Sequence, residues 1–212
     1  MKNLYLALFV LFSISQLVAC LRENRRWRAV NKPFLLLTLL LWYCAAAARI
    51  NPLLVAGLAL SMLGDVLLIF QGLFKLGGAS FFGAHLCYIA AFWQNIALRQ
   101  PFWLLAVLAY VLFVCLILHA VRGGMKKKMF ALTIVYMTAV SAMSFSALLQ
   151  LVSIEGAAAV VFVGSLLFVA SDSMIALREF RRDIPLPKPH FLVMATYIPA
   201  QFLIALGMSR IG

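Results

Sequence analysis

The sequence predicts an all-α protein, a polytopic membrane bundle of eight transmembrane helices forming one domain over residues 1–212. Three observations carry this. The chain is 66% hydrophobic and only 11% charged, with a mean hydropathy of +1.05. That composition would leave a soluble domain too little polar surface to show water. The apolar residues gather into eight runs close to the roughly 20 residues that a spanning helix needs. The cations collect in alternate connections between those runs, the bias that orients membrane proteins. Backbone groups in lipid must be satisfied within their own segment, so at this composition the spans are helices.

In order, the spans read as about 4–21, 33–48, 52–70, 78–97, 102–121, 129–150, 157–177 and 191–208. Within the first, Leu17-Val18-Ala19-Cys20 resembles a lipoprotein cleavage box. Cleavage there would strand the cations from Arg22 to Lys32 on the wrong side, so the segment is read as a helix. Asn31-Lys32-Pro33 opens the second span and Asn51-Pro52 the third. Proline costs little in a first helical turn, where its missing N–H would have no partner anyway. Arg122-Gly123-Gly124 ends the fifth span, and the run from Pro185 to Pro189 separates the seventh from the eighth. Pro199 falls inside the eighth, where the loss of one backbone bond predicts a kink.

A net charge of +12 raises nucleic acid as a partner, but the positions of the cations argue against it. Arg22, Arg25, Arg26, Arg28 and Lys32 precede the second span, and Lys75 precedes the fourth. Arg122 and Lys126, Lys127 and Lys128 precede the sixth; Arg178, Arg181, Arg182 and Lys188 precede the eighth. Fourteen cations therefore fall on one side, against Lys2, Arg49, Arg99 and Arg210 on the other. The rich side is the cytoplasmic one, where anionic headgroups account for the charge. The charge bias predicts both termini outside the cytoplasm, and the compact, short-looped chain is expected in a bacterial inner membrane. The four cysteines, Cys20, Cys44, Cys87 and Cys115, show no metal or disulfide spacing and are read as small buried hydrophobes.

Two of the six acidic residues, Asp65 and Asp172, lie inside apolar runs. A carboxylate in lipid costs several kcal/mol unless it faces a bundle interior or wet cavity, so such a residue marks a functional site. Each is about five residues from the cytoplasmic end of its span, roughly 7–8 Å below that face. His85, Tyr88, Tyr136, Tyr197 and Gln201 fall in the same slab on spans running the other way. His85 and Tyr88 are spaced i,i+3, and Tyr197 and Gln201 i,i+4, so each pair shares a helix face. Gly57, Ser61 and Gly64 form a small-residue stripe beside Asp65 that lets another helix approach. These residues predict one shared polar pocket: Asp65 and Asp172 as the chemical pair, the other five as supporting or substrate-binding groups. No ligand-spaced metal cluster stands out, and no cofactor is implied.

Four segments, in order, carry a family resemblance: S-M-L-G-D-V-L-L (61–68), F-K-L-G-G-A-S-F-F-G-A-H-L-C-Y (74–88), G-S-L-L-F-V-A-S-D-S-M-I-A (164–176) and T-Y-I-P-A-Q-F-L-I (196–204). Together they cover most of residues 57–208, while the first two spans match only in hydropathy. The chain resembles the YhhN family of eight-span membrane proteins, whose animal members are lysoplasmalogenases. The resemblance implies an ether hydrolase that cleaves the vinyl-ether bond of lysoplasmalogens, or of a related ether lipid or lysophospholipid. The products would be a fatty aldehyde and a glycerophospho-headgroup. Such a bond opens when its β-carbon is protonated and water captures the oxocarbenium ion. Two carboxyl groups in unlike states suit that task, as in glycosidases.

The rival reading is a proton-coupled transporter using Asp65 and Asp172 as a proton relay. Against it, the two acids lie toward one side of the membrane, and no polar track continues outward. A scaffold with structural acids is the third reading. The charge bias makes the topology testable: a periplasm-active reporter fused after the last residue should be active and a cytoplasm-active one silent, and the reverse pattern would overturn the orientation.

Overall fold

The computed structural model describes residues 1–97, 103–124, 126–154, 156–181, 183 and 186–211. Arg99, Arg182 and Pro185 lie outside them. Among the described residues there are eight α-helices and no strand. They are α1 (Lys2–Leu21), α2 (Arg25–Ala46), α3 (Pro52–Leu67), α4 (Phe74–Trp93), α5 (Trp103–Val121), α6 (Lys127–Ile154), α7 (Ala157–Phe180) and α8 (Pro189–Met208). Seven are long and apolar enough to cross a membrane; α3 is apolar but has 16 residues.

Helix ends follow local chemistry. The Asn51 side chain accepts from the amides of Leu53 and Leu54 and caps α3, with Pro52 in the first turn. The second helix departs from the sequence expectation. It starts at Arg25, not Pro33, because the Asn24 side chain caps it by accepting from the Trp27 amide at 3.0 Å. Trp27 Nε1 and Asn31 Nδ2 then donate to Ser15 Oγ of α1, each at 2.9 Å, which fixes the register of the α1–α2 hairpin. Pro33 therefore lies within α2, and Lys32 is a helical residue rather than a loop cation. At the end of α3, bonds from Ile69 to Val66 and Phe70 to Leu67 tighten the chain out of the helix. Asp65 thus sits in the last turn of α3, while Asp172 lies two turns inside α7. Pro199 is contained in a continuous α8.

Seven helices form a closed circuit in which α1, α2, α3, α4, α6, α7 and α8 each pack on the next and α8 returns to α1. The fifth helix packs on the outside, mainly against α6, and only 6% of its apolar window is buried. Small residues set the closest approaches. Gly57 faces the Tyr88 ring and Gly64 the Phe81 ring, so the α3 stripe receives α4. A Cβ on Gly164 of α7 would stand 2.9 Å from both the Ala200 carbonyl oxygen and the Ile204 amide nitrogen of α8. All four cysteines are unpaired; Cys20 is buried as expected, but Cys115 is exposed because α5 turns most of its surface outward.

Gly164→Val should therefore destabilise the bundle by on the order of 1–3 kcal/mol, since backbone on α8 cannot yield as a side chain can. Gly78→Ala, with nothing within 4 Å of the added methyl, should be neutral or stabilising by up to ~1 kcal/mol. Thermal unfolding in detergent reads both, and equal midpoints for the two variants would contradict the α7–α8 packing account.

Candidate active site

The two aspartates are held in separate hydrogen-bonded clusters, each drawing donors from different helices. Lys32 Nζ of α2 donates to Asp65 Oδ1 at 2.9 Å, and the Tyr197 hydroxyl of α8 donates to Oδ2 at 2.8 Å. Behind Tyr197 the cluster continues through Gln201 and Tyr88. Gln201 Nε2 donates to the Tyr197 oxygen at 3.3 Å, and the Tyr88 hydroxyl donates to Gln201 Oε1 at 2.8 Å. Ser61 Oγ lies 3.4 Å from the Tyr88 oxygen. The i,i+4 spacing of Tyr197 and Gln201 puts both on the face of α8 that meets α3 and α4.

Asp172 of α7 accepts from the Tyr136 hydroxyl of α6 at 2.8 Å, and His85 Nε2 of α4 stands 3.1 Å from the same oxygen, Oδ2. His85 Nε2 is also 3.4 Å from the Tyr136 oxygen, closing a three-membered cluster. Asp172 Oδ1 makes no hydrogen bond to any described residue. Phe168 separates the clusters, meeting His85, Tyr88 and Tyr197 edge to face at 4.9, 6.4 and 5.5 Å between ring centroids. Among the described residues no hydrogen bond passes from one cluster to the other. A buried carboxylate is tolerated only when paired or hydrogen-bonded, and each here has two partners.

Two cavities meet at this site. One, of about 600 Å³, opens at the cation-rich end of the bundle, and Asp65, Asp172, Lys32, Tyr197 and Gln16 are among the residues that line it. The other, of about 340 Å³, lies among α4, α6 and α7 and is walled by apolar side chains such as Phe82, Leu132, Met137 and Ile175. Asp172 lines both. The pair thus joins a polar chamber to a greasy one, with the carboxyl group of Asp172 at the junction. Both volumes suit a small amphipathic ligand.

The structure therefore brings all seven expected residues into two adjoining clusters, in different positions. Asp65, Asp172 and Tyr197 line the polar cavity, and Tyr136 lines the apolar one. His85, Tyr88 and Gln201 are fully buried and line neither, standing behind the groups that do. Among the described residues no three His, Cys, Asp or Glu side chains cluster as a metal ion would require. Sequence reasoning missed Lys32, counted among the loop cations, and gave no role to Gln16. The available signal was Asn24 as a cap, since a helix from Arg25 carries Arg28 and Lys32, spaced i,i+4, on one face.

The sequence model of the YhhN family matches residues 27–208, a start that takes in α2, where motif resemblance began only near residue 57. Lysoplasmalogenase TMEM86B of Homo sapiens is 34% identical over 178 residues, covering 84% of this chain and 73% of that protein. The Sus scrofa TMEM86B is 32% identical over 178 residues with the same coverage. Lysoplasmalogenase TMEM86A of Bos taurus is 34% identical over 160 residues, covering 71% of this chain and 62% of that protein. No solved structure matches the chain with significance.

Lys32→Met leaves Asp65 with Tyr197 as its one partner among the described residues and should destabilise the fold by about 3 kcal/mol, as loss of one member of a buried pair does. Adding Asp65→Asn should recover most of that loss. Unfolding in detergent measures both, and a double variant no more stable than Lys32→Met alone would show that the pair is not what holds α2 to α3.

Proposed function

The chain belongs to the YhhN family, and from that premise we propose that it is a membrane-embedded hydrolase that opens the vinyl-ether bond of a lysoplasmalogen or a related ether lysolipid. One observation carries this reading: Asp172 lines a polar cavity and an apolar cavity at once. A lysoplasmalogen is polar at one end and a hydrocarbon at the other, and its vinyl ether lies where the two meet. With the headgroup in the polar chamber and the chain in the apolar one, the reacting carbons fall beside Asp172.

The partners divide the two carboxyl groups between two roles. Asp65 is paired with a lysine and accepts from a tyrosine, which suits it to remain the carboxylate. Asp172 is held through one oxygen by Tyr136 and His85, which leaves Oδ1 to carry a proton to the lipid. That proton goes to the β-carbon and produces an oxocarbenium ion, which the Asp65 carboxylate stabilises across the cavity. Water oriented by Asp65 adds to the α-carbon to give a hemiacetal. Collapse of the hemiacetal releases a fatty aldehyde and the glycerol hydroxyl, and the proton from water restores Asp172. His85 and Tyr136 act through Asp172, and Tyr197, Gln201 and Tyr88 act through Asp65, as positioning residues. The same reading puts the polar mouth on the cytoplasmic side of a bacterial inner membrane.

Asp65→Asn and Asp172→Asn should each lower aldehyde release from lysoplasmalogen by about 10²–10⁴-fold, the share of a general acid or base; both should stay folded by gel filtration, Asp172→Asn with an unfolding midpoint close to wild type and Asp65→Asn with a lower one, because it leaves Lys32 without its partner. His85→Ala should lose less, because it acts at one remove. The assay uses purified protein in detergent, where catalysis continues and transport leaves no trace. Undiminished activity in Asp172→Asn would remove it as the acid. A wild-type protein inert toward every vinyl-ether lysolipid, yet conducting protons in liposomes, would replace the hydrolase by the relay.

A further inference from the structure

The chemistry above leaves the outer part of the polar cavity without a task, and three features there belong together. Gln16 of α1 is fully buried and lines the cavity, yet neither its amide nitrogen nor its oxygen makes a hydrogen bond to any described residue. Buried polar groups in that condition are rare and ask for a ligand. Arg28 Nε, on the cavity wall beside Cys20, is likewise buried and without a hydrogen-bond partner among the described residues. Finally, α2 starts here with the cations Arg25 and Arg28, and α8, whose first turn brings His190 to the cavity wall, has the cation Lys188 at its cap. Neither has an acid in its first turn, the reverse of what the positive end of a helix dipole favours. An anion between them removes both conflicts. Arg178 lines the same wall and places one guanidinium nitrogen 3.1 Å from His190 Nδ1, leaving other donors of its fork available. Lys32 is already engaged by Asp65.

We infer that the polar cavity is a glycerophosphate site, in which Arg28 and Arg178 hold the phosphate of a lysophospholipid and Gln16 holds its free glycerol hydroxyl. Guanidinium groups match phosphate oxygens in geometry as well as charge. An amide offers both a donor and an acceptor, which is what a hydroxyl needs. The order of these residues along the cavity agrees. On α2, Arg28 lies ~6 Å outward of Lys32, and on α7 Arg178 lies ~9 Å outward of Asp172. The bonds from Trp27 and Asn31 to Ser15 set the adjoining Gln16 at a depth between Arg28 and Lys32. From the mouth inward the sequence is cations, amide, carboxyl pair and apolar chamber. A lysoplasmalogen has the matching order: phosphate, hydroxyl, vinyl ether and chain. Glu179 lines the same wall and suits the ammonium of a zwitterionic headgroup. A diacyl lipid has no hydroxyl to offer Gln16, and a site built around a hydroxyl strongly rejects the analogue that lacks it.

This inference rests on the hydrolase reading for its ligand, so its test uses binding and not turnover. A saturated 1-O-alkyl lysophosphoethanolamine cannot be hydrolysed by vinyl-ether chemistry and can be titrated by calorimetry into purified protein in detergent. Wild type should bind it roughly 10-fold or more tighter than the 1-O-alkylglycerol of equal chain length, and similarly tighter than its 2-O-methyl derivative. Arg28→Gln and Arg178→Gln should each reduce the preference for phosphate about tenfold while leaving alkylglycerol binding unchanged, and the lysine variants should recover part of it. Gln16→Leu should abolish the preference for the free hydroxyl and keep that for phosphate. Inorganic phosphate, run as a competitor, should fail to displace the lysolipid at equal concentration; displacement would mean a free-phosphate site and overturn the lipid assignment. Equal wild-type affinity for the ligands with and without phosphate would overturn the proposal even in a protein that hydrolyses vinyl ethers. A retained preference in a protein that hydrolyses none would leave the site standing and remove only the activity.

Discussion

Asp65 and Asp172 are buried inside the bundle, and each is tolerated because donors reach it from two other helices. Lys32 and Tyr197 join α3 to α2 and α8; Tyr136 and His85 join α7 to α6 and α4. Six of the seven helices in the circuit are tied together by two carboxyl groups. The groups that would do chemistry are also those that fix how the helices meet. Removing a donor does more than alter reactivity, because it leaves a buried carboxyl group short of a partner.

Phe168 gives this arrangement its second property. Its ring meets His85, Tyr88 and Tyr197 edge to face between the clusters, and among the described residues no hydrogen bond joins one cluster to the other. The carboxyl groups share a cavity but have different partners. The matched family segment begins at residue 27 and contains every member of both clusters, while Gln16 stands outside it.

Much of this was legible in the sequence where the signal is local and periodic. Apolar runs marked the helices. Two acids in such runs marked the pocket, and i,i+3 and i,i+4 spacing placed His85 with Tyr88 and Tyr197 with Gln201. What escaped depended on where helices begin and end. The charge rule treats every cation near a span as a label for one side of the membrane, so it concealed Lys32, which is inside. Asn24 extends α2 by more than two turns beyond the apolar run, and hydropathy cannot see a cap. Gln16 was visible but mute, because an amide near a helix end has many ordinary partners and only packing shows that it has none. The apolar chamber arises from the spacing of α4, α6 and α7, which no single helix encodes.

The chain order of the clusters bears on how the protein is made. Ribosomes deliver helices from the N-terminus onward, and the strongest partner of each acid precedes it. Lys32 of α2 is synthesised before Asp65 of α3, and His85 and Tyr136 of α4 and α6 before Asp172 of α7. Neither acid has to enter the bilayer without a companion already there. Tyr197 and Gln201 arrive last, with α8, the helix that also closes the circuit against α1. Insertion and assembly are thereby decoupled: the costly residues are escorted in early, and the finished pocket appears only once α8 is in place.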